Sequence, residues 1–397
     1  MQVVRNMRRN VRFSAAVIFG VLAVAGGACK KSAPTADSKN PVTAAGDTIK
    51  IGEVGSMTGN EATFGMSTHN GIELAVKQVN AAGGVKGKQL VIFSLDDQGK
   101  PEEAATAVTK LITQNGVNAI LGEVASSRSL AMAPIAQNYK IPMVTPSSTN
   151  PKVTEQGDYI FRVCFIDPFQ GTVMAKFAHD ALHAKRVAVL RDVKNDYSIG
   201  LANYFSETFK KMGGEIVVDQ SYSGGDIDFK AQLTSIRTKN PDAIFVPGYY
   251  TEVGLIGRQA KELGIAAPLL GGDGWDSPKL KEIGGDAING SYFSNHYSSE
   301  NKDPQVQDFI AKFKATYGVI PDGLAAMGYD AAMVLVDAMK RAPTLVSADV
   351  RTALANTKDY PGVTGKITID QNRNAVKSAV VLKVASGEFK YQTTINP

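Results

Sequence analysis

Short β-rich runs alternate with stretches of helical period along most of this chain. Ile49–Gly55 (IKIGEVG) reads as a strand that gives way to Ser56. Ser67–Asn80 then places Ile72, Leu74, Ala75, Val76 and Val79 largely at helical spacing, and Gly83-Gly84 stops it. Leu90–Leu95 (LVIFSL) predicts a buried strand, and Pro101 opens the next helix as a first-turn proline can. Asn118–Gly122 and Pro142–Thr145 predict strands on either side of a helix over Ser129–Asn138. Repeated βα alternation of this kind implies a parallel sheet covered on both faces.

A second series begins after Phe165. Helices are predicted over Phe169–Leu182, Leu201–Met212, Phe229–Thr238 and Gly254–Leu263, and strands over Arg186–Arg191, Glu215–Asp219, Ala243–Val246 and Pro268–Gly271. A long helix, Gly323–Arg341, follows late, and β-type runs at Lys366–Ile369 and Ala379–Val384 close the chain. The two series echo one another: NAILG at 118–122 and DAIFV at 242–246 each precede a polar loop and a helix. Two similar α/β lobes would face each other across a cleft, and open α/β sheets bind ligands beyond the carboxyl ends of their strands. The loops to inspect are therefore Ser56–Gly65, Glu123–Arg128, Pro146–Asn150, Asp192–Ile199, Gly248–Glu252 and Gly272–Asp276.

The first residues depart from this pattern. A basic start is followed by the apolar run Phe13–Val24, then by Ala25, Gly26, Gly27, Ala28 and Cys29. A charged start, a short apolar core and a small-residue zone make an export signal. The run is short for a membrane span, and no later segment reaches the eighteen or so apolar residues one needs. Residues 30–47 are polar, small and proline-containing, too poor in apolar surface to fold, and read as a flexible tether.

The 397 residues are 44% hydrophobic and 20% charged, an ordinary globular composition with length for two domains. The net charge of +5 is local: Arg5, Arg8, Arg9 and Arg12 lie in the leader, and setting them aside leaves 39 basic against 38 acidic residues. A nearly neutral body lacks the clustered basic face that a nucleic-acid partner requires. Two cysteines cannot build a disulfide framework, and Cys164, among apolar neighbours in FRVCFID, reads as a buried, inert thiol. No G-x-x-x-x-G-K-[ST] loop and no G-x-S-x-G elbow is present, so nothing points to an enzyme or to ATP hydrolysis on this chain. His179 and His183 stand four apart on the predicted helix, but a zinc site wants three or four ligands and no third is evident. No metal and no cofactor is expected.

Nine segments together resemble the leucine/isoleucine/valine-binding family, the substrate-binding components of bacterial ABC importers. They are GSMTGNEATFG (55–65), NAAGGVKGKQL (80–90), LDDQGKPEEAA (95–105), GEVASS (122–127), PSSTNP (146–151), FR…FQG (161–171), DYSIG (196–200), PGYYTE (247–252) and GGDGW (271–275). Each is weak alone; their order and spacing across residues 49–395 are specific. The resemblance implies a type I periplasmic binding protein fold of two Rossmann-like lobes joined by three crossovers, near Asp167, Asn295 and Val376. The lobes would then be 48–167 with 296–375, and 168–295 with 376–397. Cys29 resembles a lipobox cysteine, which implies lipidation there, a membrane anchor and an extracytoplasmic location, although Gly26 stands where the family usually has Leu, Val or Ala.

The family grips the ammonium and carboxylate of a free amino acid, and the matching positions are Ser126, Ser147, Ser148 and Thr149 on one lobe and Tyr197, Tyr249 and Asp273 on the other. The physics agrees. Backbone amides where a strand gives way to a helix at Ser126 attract a carboxylate, hydroxyls add neutral donors, and Asp273 offers the charge an ammonium needs. Phe64 and Trp275, with Val124 and Ala125, would make the side-chain end apolar, which favours an aliphatic or aromatic amino acid. The implied partners are that amino acid and the membrane permease of an ABC importer, with the chain a monomer. A binding protein or sensor for another small polar solute, an amide or urea, is the rival reading. Plainer roles stand beside these: Ser and Thr as turn formers, Trp275 as a brace for its loop, one of Tyr249 and Tyr250 as core, and Arg162 as a tie at a crossover.

Overall fold

A computed structural model describes residues 48–397. The proposed lipidation site at Cys29, the leader and the tether lie outside the described residues. Five strands make the first sheet: β1 (Thr48–Gly55), β2 (Gln89–Asp96), β3 (Ala119–Leu121), β4 (Met143–Thr145) and β5 (Ile160–Arg162). All are parallel, in the order β2-β1-β3-β4-β5, with Thr48 opposite Gln89 and Ile51 opposite Ala119. Side chains alternate across a strand, so Ile49, Ile51, Ala119 and Leu121 face one way and Val54 and Ile120 the other. The first set packs on helices Ala62–Ala81 and Gly323–Arg341 through Ile72, Val76, Leu335 and Met339. The second packs on helices Pro101–Lys110 and Ser126–Asn138 through Val108 and Met132. Burying each such side chain stabilises the fold by roughly 1.5–3 kcal/mol relative to exposing it.

The second sheet contains β6 (Arg186–Asp192), β7 (Glu215–Tyr222), β8 (Ala243–Phe245), β9 (Leu269–Gly271) and β10 (Tyr292–Asn295). A small antiparallel sheet follows in the chain, β11 (Tyr360–Gly362), β12 (Gly365–Ile369) and β13 (Ala375–Val376), whose Ile367 and Ile369 join the core of the first lobe. β14 (Ala379–Ala385) and β15 (Glu388–Ile395) complete the second sheet in the order β15-β14-β10-β9-β8-β6-β7. The purely parallel sheet implied by the alternation is thus only half correct. β14, returning from the first lobe, runs antiparallel to β10, and β15 runs antiparallel to β14 because the two-residue turn Ser386-Gly387 that joins them permits no other pairing.

The chain passes between the two lobes three times: after β5, after β10, and between β13 and β14. Helix Asp167–Lys176 already packs with the second lobe through Val173 and Met174, whereas helix Pro304–Tyr317 packs on Leu74 of the first through Phe309 and Phe313. His179 and His183 do not share a helix face. The helix ends in a wide turn over Phe177–Ala181, and His183 has left it with φ 53°. His179 pairs instead with the neighbouring Asp180 at 2.6 Å, and among the described residues no cluster of three or more metal-ligating side chains occurs. No described helix is long and apolar enough to cross a membrane. Cys164 is fully buried and unpaired, and burial pushes its thiol up to about 12.

Candidate ligand cleft

The helices begin earlier than their apolar periodicity indicates. They start at Ala62, Ser126, Asp196 and Tyr250, so residues expected in loops form first helical turns instead. Polar and small residues hide these starts, because a first turn needs caps and free amides rather than a buried stripe. The consequence is functional at Ser126, whose uncapped first turn borders the space between the lobes.

That space holds a small cavity lined by Phe64, Val124, Ala125, Ser126, Ser147 and Leu324 of the first lobe and by Tyr197, Tyr249, Asp273 and Gly274 of the second. About 20 Å³ of it is open to the centres of water molecules. At the first-lobe end, Ser126 begins a 13-residue helix whose N-cap, Ala125, has no side chain able to cap it. Its first amides are therefore free for an anion. Ser126 Oγ accepts from the Asn150 amide at 3.2 Å, and Ser147 Oγ donates to the Val124 carbonyl at 3.4 Å.

Behind this turn lies a buried ionic cluster. Glu123 accepts from the Ala125 amide at 2.6 Å and from Arg128 Nε at 2.9 Å, and Arg128 Nη2 reaches Glu61 at 2.7 Å. Burial works against the Arg128 charge, but Glu123, Glu61 and Asp97 outweigh it and hold the guanidinium well above its ordinary value. Asp97 goes the other way, pushed up to about 7 by burial and then by the charge of Glu123.

On the second lobe, Asn195 caps its helix by accepting from the Tyr197 amide at 3.0 Å. The Tyr197 ring stacks with Tyr249 at 5.5 Å, and its hydroxyl accepts from the Gly274 amide at 3.2 Å. A Cβ on Gly274 would stand 2.8 Å from the Gly248 carbonyl oxygen and from the Tyr249 ring, so this turn requires glycine. Asp273 opens the turn, 7% exposed. It accepts from Gln170 Nε2 at 2.8 Å and lies 3.1 Å from His296 Nε2. His296 stacks on Phe165 at 3.7 Å, and burial pushes its imidazole below the ordinary value despite Asp273, so at neutral pH it is an uncharged donor.

Six of the residues singled out from sequence meet at this cavity: Phe64, Ser126, Ser147, Tyr197, Tyr249 and Asp273. Three do not line it. Trp275 is fully buried beneath the loop, with its indole N–H donated to the Val246 carbonyl at 3.0 Å, and is a brace rather than a pocket wall. Ser148 turns its hydroxyl inward to Ser129 Oγ at 2.7 Å and the Glu123 carbonyl at 3.0 Å. Thr149 Oγ1 is buried without a well-formed hydrogen bond and approaches Asp167, a carboxyl pushed up to about 8 by burial. Leu324, Gln170, His296 and Arg128 were not anticipated as site residues. Gln170 lies inside the FQG segment and Arg128 ends the Glu123–Arg128 loop; Leu324 and His296 are placed by chain crossings that no local pattern reports.

Arg162 ties the loop over Asn150–Thr154, donating to the Asn150 carbonyl at 2.8 Å and to Thr154 Oγ1 at 3.2 Å. Of the two tyrosines, Tyr249 lines the cavity, and Tyr250 packs edge-on to Phe64 with its hydroxyl 3.4 Å from the Thr63 amide. The lobes are closed on one another. Phe64 meets Tyr249 edge to face at 5.3 Å, Ser127 Oγ lies 2.9 Å from Asp196, Asn150 Nδ2 donates to the Asp196 carbonyl at 2.9 Å, and Thr251 donates to the Asn60 carbonyl at 2.7 Å.

Comparison with known proteins agrees with this geometry. The family model described as periplasmic binding protein matches residues 48–388. The leucine-, isoleucine-, valine-, threonine- and alanine-binding protein of Pseudomonas aeruginosa is 33% identical, over 82% of this chain and 87% of that protein. The crystal structure of a leucine-binding protein from Thermotoga maritima superposes with a TM-score of 0.85 at 44% identity, covering 88% of this chain and 99% of that one. The substrate-binding protein of a branched-chain amino acid transporter from Streptococcus pneumoniae, solved with isoleucine, gives 0.84 at 35% identity, with 88% and 100% covered. With its two α/β lobes, three crossings and intervening cleft, the chain belongs to the periplasmic binding proteins, a family of binding proteins rather than enzymes.

Proposed function

We propose that this chain is the extracytoplasmic substrate-binding component of an amino-acid ABC importer and holds a free L-amino acid with an apolar side chain between its lobes. One observation carries the reading: free first-turn amides at Ser126 and the Asp273 carboxylate border one small cavity whose aliphatic and phenyl walls are Phe64, Val124, Ala125 and Leu324. The ligand carboxylate lies at Ser126 and Ser147, the ammonium at Asp273, and Tyr197 and Tyr249 flank it from the second lobe. Relatives that bind leucine, isoleucine and valine support the apolar choice.

The lobes we assign are 48–167 with 296–375, and 168–295 with 376–397. The chain acts as a monomer that delivers ligand to a membrane permease, and Cys29 carries the lipid that anchors it. Two acyl chains suffice, since each buried CH₂ contributes roughly 0.8 kcal/mol. Cys29→Ala should release the protein in soluble form; wild type with an unmodified N-terminus free of the membrane sinks the anchor. Native mass spectrometry of protein purified without refolding, followed by calorimetric titration with leucine, isoleucine, valine and phenylalanine, tests the ligand class. Tight binding of an amide or urea with no binding of any free amino acid would replace this reading.

A further inference from the structure

The turn that carries Asp273 ends on a second buried acid. Asp276, 4% exposed, accepts at Oδ2 from the Gly323 amide at 2.6 Å and from Asn295 Nδ2 at 2.7 Å. Asp276 stands between β9 and helix Pro278–Gly284 on the second lobe. Gly323 is the first residue of the 19-residue helix Gly323–Arg341, which is packed into the first lobe. The bond therefore crosses between the lobes.

That helix does not need it for capping. Its own N-cap, Asp322, accepts from the Ala325 amide at 2.9 Å and takes the Ser67 hydroxyl at 2.6 Å on its other oxygen. A second carboxylate, supplied by the opposite lobe, is redundant for helix stability and must be explained by what it joins. The next residue makes a parallel contact: Ser277 Oγ lies 2.8 Å from Thr63 Oγ1, one residue from Phe64. At the helix end the residue after Gly323 is Leu324, part of the cavity wall. Both clasps thus land beside residues that line the ligand cavity. The turn between Asp273 and Asp276 is stiff, closed by the Asp276 amide on the Asp273 carbonyl at 3.0 Å and pinned from below by Trp275.

We propose that Asp276 is a positioning residue for ligand binding: it clasps the second lobe onto the Gly323 helix start, holds Leu324 against the ligand, and so couples seating at Asp273 to lobe closure. The proposal rests on the amino-acid reading only for the choice of ligand. Closure also gathers two acids, and this gives it a pH signature. Burial raises Asp276, and burial together with the Asp276 charge pushes Asp322 up to about 7. The groups facing the pair are Asp273 in the same turn, Lys281 on the following helix, the buried Tyr297 phenol, and His296 beyond Asn295. Burial lowers the His296 imidazole below its ordinary value. The closed form therefore binds more protons than an open form that returns both acids to water. Affinity is greatest at acid pH and falls as pH rises through about 7.

Titrating the purified full chain with L-leucine and L-valine from pH 6 to 8.5 tests this. Wild type should weaken several-fold across the range. Asp276→Ala removes the acceptor for the Gly323 amide and should lose tenfold or more for both ligands with their ratio unchanged, mainly through faster release; Asp276→Asn keeps that acceptor without the charge, so it should bind like wild type at pH 6 with a flatter pH slope. Thr63→Val, which breaks only the neighbouring clasp, should cost a few-fold and leave the slope intact. Small-angle scattering reads the same clasp without ligand, as a larger radius of gyration for Asp276→Ala than for wild type at pH 6. Unchanged affinity and unchanged scattering for Asp276→Ala would overturn the proposal. Failure of wild type to bind either amino acid would overturn the ligand reading while the scattering still judges the clasp.

Discussion

Replacing Asp273 by asparagine removes one negative charge from the cleft at nearly constant size, and the surroundings make that charge decisive. The carboxylate is 7% exposed and its two protein partners are both uncharged, the Gln170 amide and a His296 imidazole that burial keeps neutral. A ligand ammonium would be the cation that answers it. Removing one member of a buried pair typically costs about 3–5 kcal/mol, which is roughly two to four decades of affinity. The fold should tolerate the change, because either partner can reverse its role. Gln170 can turn its amide, and His296 can move its proton to Nδ1, which has no partner now. Calorimetric titration of wild type and Asp273→Asn with the amino acid and with its des-amino analogue closes a double-mutant cycle. We expect a coupling of at least about 2 kcal/mol, since neither single change leaves the ionic interaction for the other to remove. A coupling near zero would show that Asp273 does not hold the ammonium.

Other outcomes follow from the same site. Phe64→Ala opens the apolar end and should move the preference from valine toward phenylalanine by about tenfold, the worth of two or so extra buried methylenes, read as a ratio of dissociation constants. Arg128→Ala strands Glu123 and Glu61 and should destabilise the fold by about 3–5 kcal/mol. Denaturant melts should place more of that loss at pH 8 than at pH 5, because Asp97, pushed up to about 7, can take a proton at the lower pH. Asp167 is fully buried with both oxygens unpartnered and is pushed up to about 8, above its unfolded value. Its contribution is present below about pH 4 and falls by about 1.4 kcal/mol per pH unit up to about 8. Asp167→Asn should therefore melt higher than wild type at pH 8.5 and close to it at pH 5.

What the sequence disclosed and what it hid divide along physical lines. Strands such as Arg186–Asp192 and the helix Gly323–Arg341 were legible because buried faces leave an apolar period. Tyr292–Asn295 was not, since four residues carrying Ser and Asn leave no pattern, although the strand is central in its sheet. Helix Pro304–Tyr317 is not among the expected elements although Val306, Phe309, Ile310 and Phe313 stand at helical spacing between the Asp303 cap and Gly318 at φ 78°, so here the signal was present in the sequence. At the site, Phe64, Ser126 and Asp273 could be named from motifs in their own segments. Leu324 and His296 could not, because each comes to the cavity from a segment beyond a lobe crossing. Trp275 was misplaced for a related reason: a large aromatic beside a binding residue reads equally as wall or as brace. Only the Val246 carbonyl, 3.0 Å from its indole nitrogen, decides between them.

The division of the grip between lobes explains how one small ligand can report its own presence. The amides at Ser126 belong to the first lobe and the Asp273 carboxylate to the second, so neither lobe alone answers both charges of a zwitterion. Binding energy is then gained almost wholly in the closed state, the condition for a ligand to move a conformational equilibrium at all. Driving such an equilibrium from mostly open to mostly closed needs a differential of about 5.5 kcal/mol. An ammonium paired with Asp273, at about 3–5 kcal/mol, would account for most of it, and apolar contact with Phe64 and Leu324 would supply the rest. The direct bonds between the lobes are few and mostly neutral, as at Thr63–Ser277 and Thr251–Asn60, and the charged clasp at Asp276 gathers two acids that oppose each other. Such a set steadies the closed form without fixing it, so the ligand makes the difference between the two states. A cleft held shut by strong salt bridges of its own would bind no more selectively and could not signal that it was loaded.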